Sequence, residues 1–153
     1  MMDKPKFVYV IYIGSTPEKI FNALIEPDIT RQYWGNHHNA SDWKPGSRWE
    51  HRDFDKPELV DIVGKVIESD PPRRLVVTWV PPADEGNPVK TSRVTFNIEP
   101  FMDVVRLTVT HDELEPDSEM FHSVSFGWPA VISGLKTLLE TGKLGPAAAQ
   151  RHC

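Results

Sequence analysis

The last apolar segment of the sequence is the longest, and its apolar residues recur with the period of a helix. Between residues 117 and 141 the apolar spacing is three and four residues, which places these side chains on one face of an α-helix. That face is formed by Phe121, Val124, Trp128, Val131, Leu135, Leu138 and Leu139. A long helix with one broad apolar face must be covered, so the rest of the chain has to supply a large apolar surface.

The segments before this helix alternate between apolar and polar residues, as half-buried strands do. The alternation is clearest over residues 92–99 and 104–112. Residues 48–54, 59–68 and 74–80 are predicted as further strands, separated by proline-rich turns. Consecutive strands with short connections form an antiparallel meander. The sequence therefore predicts a curved antiparallel sheet that the C-terminal helix covers.

The N-terminal third of the sequence predicts one more strand and two short helices. Residues 7–13 are apolar on both faces, which indicates a strand that is covered in part on each side. Residues 15–18 are typical of a helix start, with a hydroxyl cap, a proline and an acidic residue in the first turn. Pro27 ends this helix, and a second one is predicted over 28–33 or 28–34. Residues 35–47 are predicted to be a connection rich in turns.

Pro129 lies inside the predicted C-terminal helix, where it cannot donate a backbone hydrogen bond. With Gly127 close by, we expect the helix to be kinked or divided at this point. Gly142 is a typical helix end. We therefore predict one domain over residues 1–145 and a disordered Ala-rich tail over 146–153.

Charge and composition argue against several kinds of partner and location. The chain has 17 basic and 22 acidic residues, and the basic ones are scattered, so no nucleic-acid partner is predicted. The single cysteine, Cys153, cannot form an internal disulfide. No apolar run approaches the roughly 20 residues that cross a bilayer, and no secretory signal is visible. We predict a cytoplasmic protein with no membrane span.

The sequence also lacks the common signatures of metal, cofactor and nucleophile sites. His37 and His38 are adjacent rather than spaced as zinc ligands are. There is no Gly-rich phosphate loop and no Gly-x-Ser-x-Gly motif. No metal, no cofactor and no catalytic nucleophile are predicted.

Two histidines are predicted to lie on the apolar face of the sheet. His111 shares a strand face with apolar residues, and if Trp49 points inward then His51 and Asp53 do so as well. A polar group on such a face needs a partner or a water molecule. Three roles stay open for these imidazoles: a hydrogen-bonded core residue, a ligand contact, or proton transfer together with Asp53 or Asp61.

Large aromatic side chains can either fill the space between sheet and helix or line a cavity there. An indole ring covers a large area and still offers one N–H donor to a polar atom of a ligand. The candidate ligand-binding residues are Trp34, Trp49, His51, Trp79, Phe96, His111, Phe121 and Trp128.

Several stretches of the sequence match one family in order along nearly the whole chain. They are TPEKIF (16–21), YW (33–34), SDWKPG (41–46), GKVIE (64–68), PPRRL (71–75), TW (78–79), SRVTF (92–96), LTVTH (107–111), GWP (127–129) and LKTLLETG (135–142). In these motifs the chain resembles the bacterial single-domain homologues of the heat-shock protein 90 ATPase activator, within the START-like (SRPBCC) superfamily. The resemblance implies an α+β helix-grip fold. In that fold, six to seven antiparallel strands wrap around a long C-terminal helix, and two short helices follow the first strand.

The function that these observations favour is non-enzymatic binding of a small, mainly hydrophobic molecule between the sheet and the C-terminal helix. The ligand is expected to be lipid-like, or aromatic and polyketide-like. A cyclase or hydratase that uses His51 and His111 is one alternative. Another, implied by the resemblance alone, is an interaction module for a chaperone or a transcriptional regulator, with a role in stress response. Exposed apolar positions from Val8 to Tyr12 would suit the edge of a homodimer.

Overall fold

The computed structural model describes residues 4–143, which form seven strands and three α-helices. The strands are β1 (Phe7–Ile13), β2 (His37–Ala40), β3 (Arg48–Asp53), β4 (Val60–Asp70), β5 (Arg74–Trp79), β6 (Ser92–Phe101) and β7 (Val104–Asp112). The helices are α1 (Pro17–Ile25), α2 (Pro27–Tyr33) and α3 (Glu119–Thr141). None of these helices is long and apolar enough to cross a membrane. The tail predicted over 146–153, with Cys153, lies outside the described residues.

All seven strands belong to one antiparallel sheet in the order β1-β7-β6-β5-β4-β3-β2. Six strands follow one another along the chain, and β1 closes the far side by pairing with β7 in a register that sets Phe7 opposite His111. Helix α3 packs on the inner face, and α1 and α2 connect β1 to β2. The predicted helix-grip fold is thereby confirmed.

Strand β2 was not expected from the sequence, which predicted turns over residues 35–47. Its four residues pair with β3, His37 opposite Asp53 and Ala40 opposite Glu50. No apolar alternation marks these residues, because they are His, His, Asn and Ala. The strand forms through its pairing with β3, and that tertiary contact leaves no local signal.

The helix ends follow the expected local chemistry. Thr16 Oγ1 accepts a hydrogen bond from the backbone N–H of Lys19 at the start of α1, at 3.2 Å. Ser118 Oγ accepts from the N–H of Phe121 at the start of α3, at 3.1 Å. Gly142 ends α3 with φ of 81°, a conformation that costs glycine little.

Helix α3 runs through Pro129 as one element, so of the two expected alternatives, a kink or a division, the division is wrong. Proline removes the single hydrogen bond that an N–H at position 129 would make to the carbonyl of Ser125. Trp128, Val131 and Ile132 beside it are fully buried. Packing on both sides of the proline therefore holds the two halves of the helix to the same core.

Tryptophans dominate the core between α3 and the sheet. Trp34, Trp49, Trp79 and Trp128 are each at most 2% exposed. Each indole removes a large area from water, so these four side chains supply a major part of the apolar burial that stabilises the fold.

Strand β1 is an edge strand, and α3 covers part of its free edge. Lys136 Nζ donates to the carbonyl oxygen of Tyr12 at 2.7 Å, and the N–H of Gly14 donates to Glu140 Oε2 at 2.7 Å. Lys136 and Glu140 also pair with each other at 2.7 Å. Unpaired edge groups are templates for association, so this ion pair protects one end of the edge. Val8 and Val10 stay about half exposed, at 46% and 47%.

We expect replacement of Glu140 by Gln to lower the free energy of unfolding at pH 7 by about 1 kcal/mol, since a charged acceptor is lost at a partly exposed site. Lys136 holds the pKa of Glu140 below its usual range. The carboxylate therefore stabilises the fold above its ordinary pKa, and the difference between wild type and variant should shrink as the pH falls below about 4. Urea unfolding at several pH values measures this. Glu58→Gln, at an exposed loop position, is the control, and equal losses in both variants would contradict the role of Glu140.

Candidate ligand-binding site

Seven of the eight predicted site residues lie in one aromatic network centred on Trp128. Its ring centroid is 5.5 Å from that of Trp34, 5.4 Å from Trp79, 5.7 Å from Phe96 and 6.1 Å from His111. The eighth predicted residue, Phe121, is half-buried on α3 and packs against the margin of this core.

Trp49 and His51 extend the network along β3. Trp49 lies 5.5 Å from Trp79, and His51 lies 4.9 Å from Trp34, centroid to centroid. Among these rings the remaining void measures about 10 Å³. A space of that size holds at most one water molecule. Side chains therefore fill the space between α3 and the sheet, and a ligand has to bind at the margin of this core.

His111 connects α3 to the sheet through a complete chain of hydrogen bonds. The Trp128 indole, which can only donate, gives its N–H to His111 Nδ1 at 3.0 Å. His111 Nε2 must then carry the hydrogen and donate to Ser92 Oγ at 2.7 Å, and Ser92 donates to the carbonyl of Trp79 at 3.1 Å. Burial lowers the pKa of His111 to about 3. His111 is thus a neutral core residue with both nitrogens engaged.

His51 is held differently, with one ring nitrogen left over. Asn39 donates its amide to the carbonyl of Leu24 at 3.0 Å, which turns Asn39 Oδ1 toward His51 Nδ1 at 2.7 Å. His51 Nδ1 therefore carries the hydrogen, and Nε2 is an acceptor. Within the described residues no group bonds to His51 Nε2. The sequence had offered no reason to single out Asn39, because it lies in the unpredicted strand β2.

His37 lies over the His51 ring, with centroids 4.8 Å apart and an interplanar angle of 12°. Its Nδ1 is 2.7 Å from the carbonyl oxygen of Gly35, and its Nε2 is 2.7 Å from Asp61 Oδ2. Both ring nitrogens of His37 are therefore engaged, and neither is left for a ligand. Burial first, and then the neighbouring His37 and His38, lower the pKa of His51 to about 3. His51 is therefore neutral at physiological pH.

An open cleft of about 350 Å³, here called the His51 cleft, lies between the first turns of α3 and strands β2 to β5. Its lining consists of His37, His51, Asp61, Ile62, Trp79, Met120, Ser123 and Val124. A second cleft of about 370 Å³ adjoins it and shares Met120 and Ser123, but its rim carries the charged residues Asp84, Lys90, Glu115 and Glu119. The His51 cleft is the one that reaches the predicted residues His51 and Trp79.

Two buried indoles have no hydrogen-bond partner. Trp79 Nε1 and Trp34 Nε1 are shielded from solvent and bond to no group of the described residues. Both side chains line the small void, and Trp79 also lines the His51 cleft. An unpaired buried donor is costly, so each site favours an acceptor.

Asp53 does not join the site, although strand alternation predicted that it would point inward. The pairing of β3 with β4 shifts register between His51 and Arg52, which interrupts the alternation. Asp53 Oδ1 instead accepts from the backbone N–H groups of Asp55 and Lys56, at 3.0 and 2.8 Å. It fixes the turn that leaves β3. Over residues 4–143, no three His, Cys, Asp or Glu side chains cluster as metal ligands do.

Because the folded-state pKa values of His51 and His111 lie near 3, below their ordinary value, the unfolded chain takes up protons first as the pH falls. The free energy of unfolding therefore keeps its full value above about pH 6.5. Below that pH it decreases by about 1.4 kcal/mol per pH unit for each histidine. Urea unfolding from pH 7 to 5 checks this. His51→Gln and His111→Gln should each flatten the slope, and the exposed His122→Gln should not. A slope that is equal in all four proteins would overturn the assignment.

Solved structures of low sequence identity share this fold. A protein from Mesorhizobium loti is 23% identical and superposes with a TM-score of 0.74 over 92% of this chain and 100% of its own. The Aha1 dimer from Colwellia psychrerythraea is 21% identical, with a TM-score of 0.70 over 91% and 98%. An HSP90 activator from Plasmodium falciparum is 18% identical, with a TM-score of 0.71 over 88% and 96%. No curated protein matches the sequence.

The family is shown by sequence rather than by these superpositions, since identities this low establish the fold alone. The family model described as activator of Hsp90 ATPase homolog 1-like protein matches residues 15–140, from the start of α1 to the end of α3. The match includes Trp34, His51, Trp79, His111 and Trp128. This chain belongs to the family of activator of Hsp90 ATPase homolog 1-like proteins.

Proposed function

We propose that the protein binds a small, mainly hydrophobic molecule in the His51 cleft and does not transform it. The observation that supports this most directly is the chain from the Leu24 carbonyl through Asn39 to His51. It holds a neutral imidazole at the cleft with Nε2 as a free acceptor. The lining combines the apolar side chains of Ile62, Met120 and Val124 with a pre-oriented polar atom, and such an atom is typical of sites that fix the orientation of a ligand.

The size of the cleft favours compact ligands. At about 350 Å³ it is near the lower end of small-molecule sites, which span roughly 300–1,000 Å³. Because the aromatic core behind it is filled, a long acyl chain has no channel to follow between sheet and helix. Of the two ligand classes predicted from the sequence, the aromatic class therefore fits better than the lipid-like class.

Proton transfer is disfavoured by the state of the two histidines. With a pKa near 3, His51 is a weak base at neutral pH, far from the value that suits general base catalysis. His111 has both nitrogens engaged in the core. The geometry thus supports binding over the cyclase or hydratase alternative.

An interaction with a chaperone or a transcriptional regulator rests on the family resemblance, and the homodimer edge rests on Val8, Val10 and Tyr12. These three side chains are 43–47% exposed on the outer face of β1. Lys136 and Glu140 occupy the backbone groups at one end of that edge. Both partners remain predictions, and sedimentation of the purified chain alone and with a chaperone would test them.

We expect aromatic polyketide-like compounds and flavonoids to shift the NMR signals of the Trp79 indole and the His51 ring, because these groups line the cleft. Ser123→Trp fills the cleft from an exposed position on α3 and should weaken binding about tenfold or more. His122→Trp adds the same ring to the neighbouring exposed position, outside the cleft lining, and should leave the affinity unchanged. Equal affinities for the two variants, or shifts confined to other regions, would refute binding at this cleft.

A further inference from the structure

We infer that the ligand of the His51 cleft is a neutral aromatic molecule that carries both a hydroxyl and a carbonyl group. The hydroxyl donates to His51 Nε2, and the carbonyl accepts from Trp79 Nε1. This inference rests on the proposed function and adds the polar pattern that the cleft selects.

The hydroxyl is required by the fixed tautomer of His51. Leu24, Asn39 and His51 form a chain in which every hydrogen position is determined, and it ends with a lone pair on Nε2. The His51 side chain is 3% exposed, and Nε2 is the ring nitrogen that is left to accept a donor from the cleft, which His51 lines. A hydroxyl group of the ligand supplies that donor.

The carbonyl is required by the unpaired indole of Trp79. An indole N–H can only donate, and the Trp79 Nε1 hydrogen has no acceptor among the described residues. The rings of His51 and Trp79 lie 6.5 Å apart at an interplanar angle of 30°, and both line the same cleft. One small ring system can therefore present an acceptor to Trp79 and a donor to His51.

The second unpaired indole, Trp34, does not compete for this ligand. It lines the void of about 10 Å³ rather than the His51 cleft. That void has room for one water molecule at most.

A carboxylate in place of the carbonyl is disfavoured because, within the described residues, the cleft offers it no free cation. His37 has both ring nitrogens engaged, Nε2 with Asp61 and Nδ1 with the carbonyl of Gly35, so neither nitrogen is left for an anionic ligand. A neutral carbonyl satisfies the Trp79 N–H without bringing a second negative group close to Asp61.

Trp79 Nε1 is shielded from solvent, so a ligand carbonyl reaches it only when a side chain of the cleft moves. Met120 is half-buried, lines both clefts and packs against the core. Its unbranched side chain adapts to new neighbours more readily than branched or aromatic residues do, so it is the lining residue best suited to such a movement.

Four kinds of naphthalene probe separate the two polar contacts: the positional isomers of hydroxynaphthyl methyl ketone, naphthol without the carbonyl, methyl naphthyl ketone without the hydroxyl, and hydroxynaphthoate. Titration of the full chain, followed by calorimetry and by the Trp79 indole N–H signal, gives affinity and contact together. At least one hydroxyketone isomer should bind about tenfold more tightly than either single-function probe. Both ketones should shift the Trp79 indole signal downfield.

Variants assign each contact. In His51→Phe, the hydroxyketone should no longer bind more tightly than methyl naphthyl ketone, whatever the absolute affinity of the variant for either probe. Trp79→Phe should remove the advantage of the carbonyl, and if that variant does not fold, the indole signal of the wild type still reports the contact. Hydroxyketones that bind no better than naphthol, an unshifted indole signal, or preferential binding of hydroxynaphthoate would overturn the inference while cleft binding stands. No cleft shifts with any probe would overturn the proposed function as well.

Discussion

The hydrogen bond from Trp128 to His111 connects the two layers of the fold, and much else in the structure depends on it. It joins the middle of α3 to β7 and continues through Ser92 to the end of β5. His111 and Ser92 each accept one hydrogen bond and donate another, so a rotation of the helix that removed the Trp128 donor would leave buried polar groups unpaired. The orientation that keeps this donor in place directs Val124 toward the core and Met120 toward the clefts.

The same constraint explains why the open space is at the margin and not at the centre. Once Trp128 is fixed, Trp34, Trp79 and Phe96 close around it and leave almost no volume. The first turns of α3 lie beyond this cluster, where the short β2 and the bulged β3 form the opposite wall. His51 is positioned at this boundary, with one nitrogen bonded in the core and the other left for the cleft.

The fold could be predicted from the sequence because its signals are local or periodic. The alternation of β6 and β7, the caps of α1 and α3, and the apolar face of α3 each follow from spacing alone. Strand β2 could not be predicted, since it exists only through pairing with β3, and neither could the register shift that turns Asp53 away. For the site, the residue types identified the aromatic network. They could not show that His51 keeps one ring nitrogen free while His111 has both engaged, because the partners that decide this, Asn39 and Trp128, lie far away in sequence. The roles of Met120 and Ser123 depend on the orientation of α3, which no spacing pattern reveals.

The two halves of helix α3, before and after Pro129, contact different parts of the structure. The first half borders the clefts with Met120 and Ser123, while the second half carries Lys136 and Glu140, which protect the edge of β1. Pro129 removes a backbone hydrogen bond between them. Substitutions in the first half can thus alter the shape of the clefts and leave the ion pair that covers the edge of β1 in place. Resistance to edge-to-edge association and the shape of the clefts are therefore set by different residues of one helix.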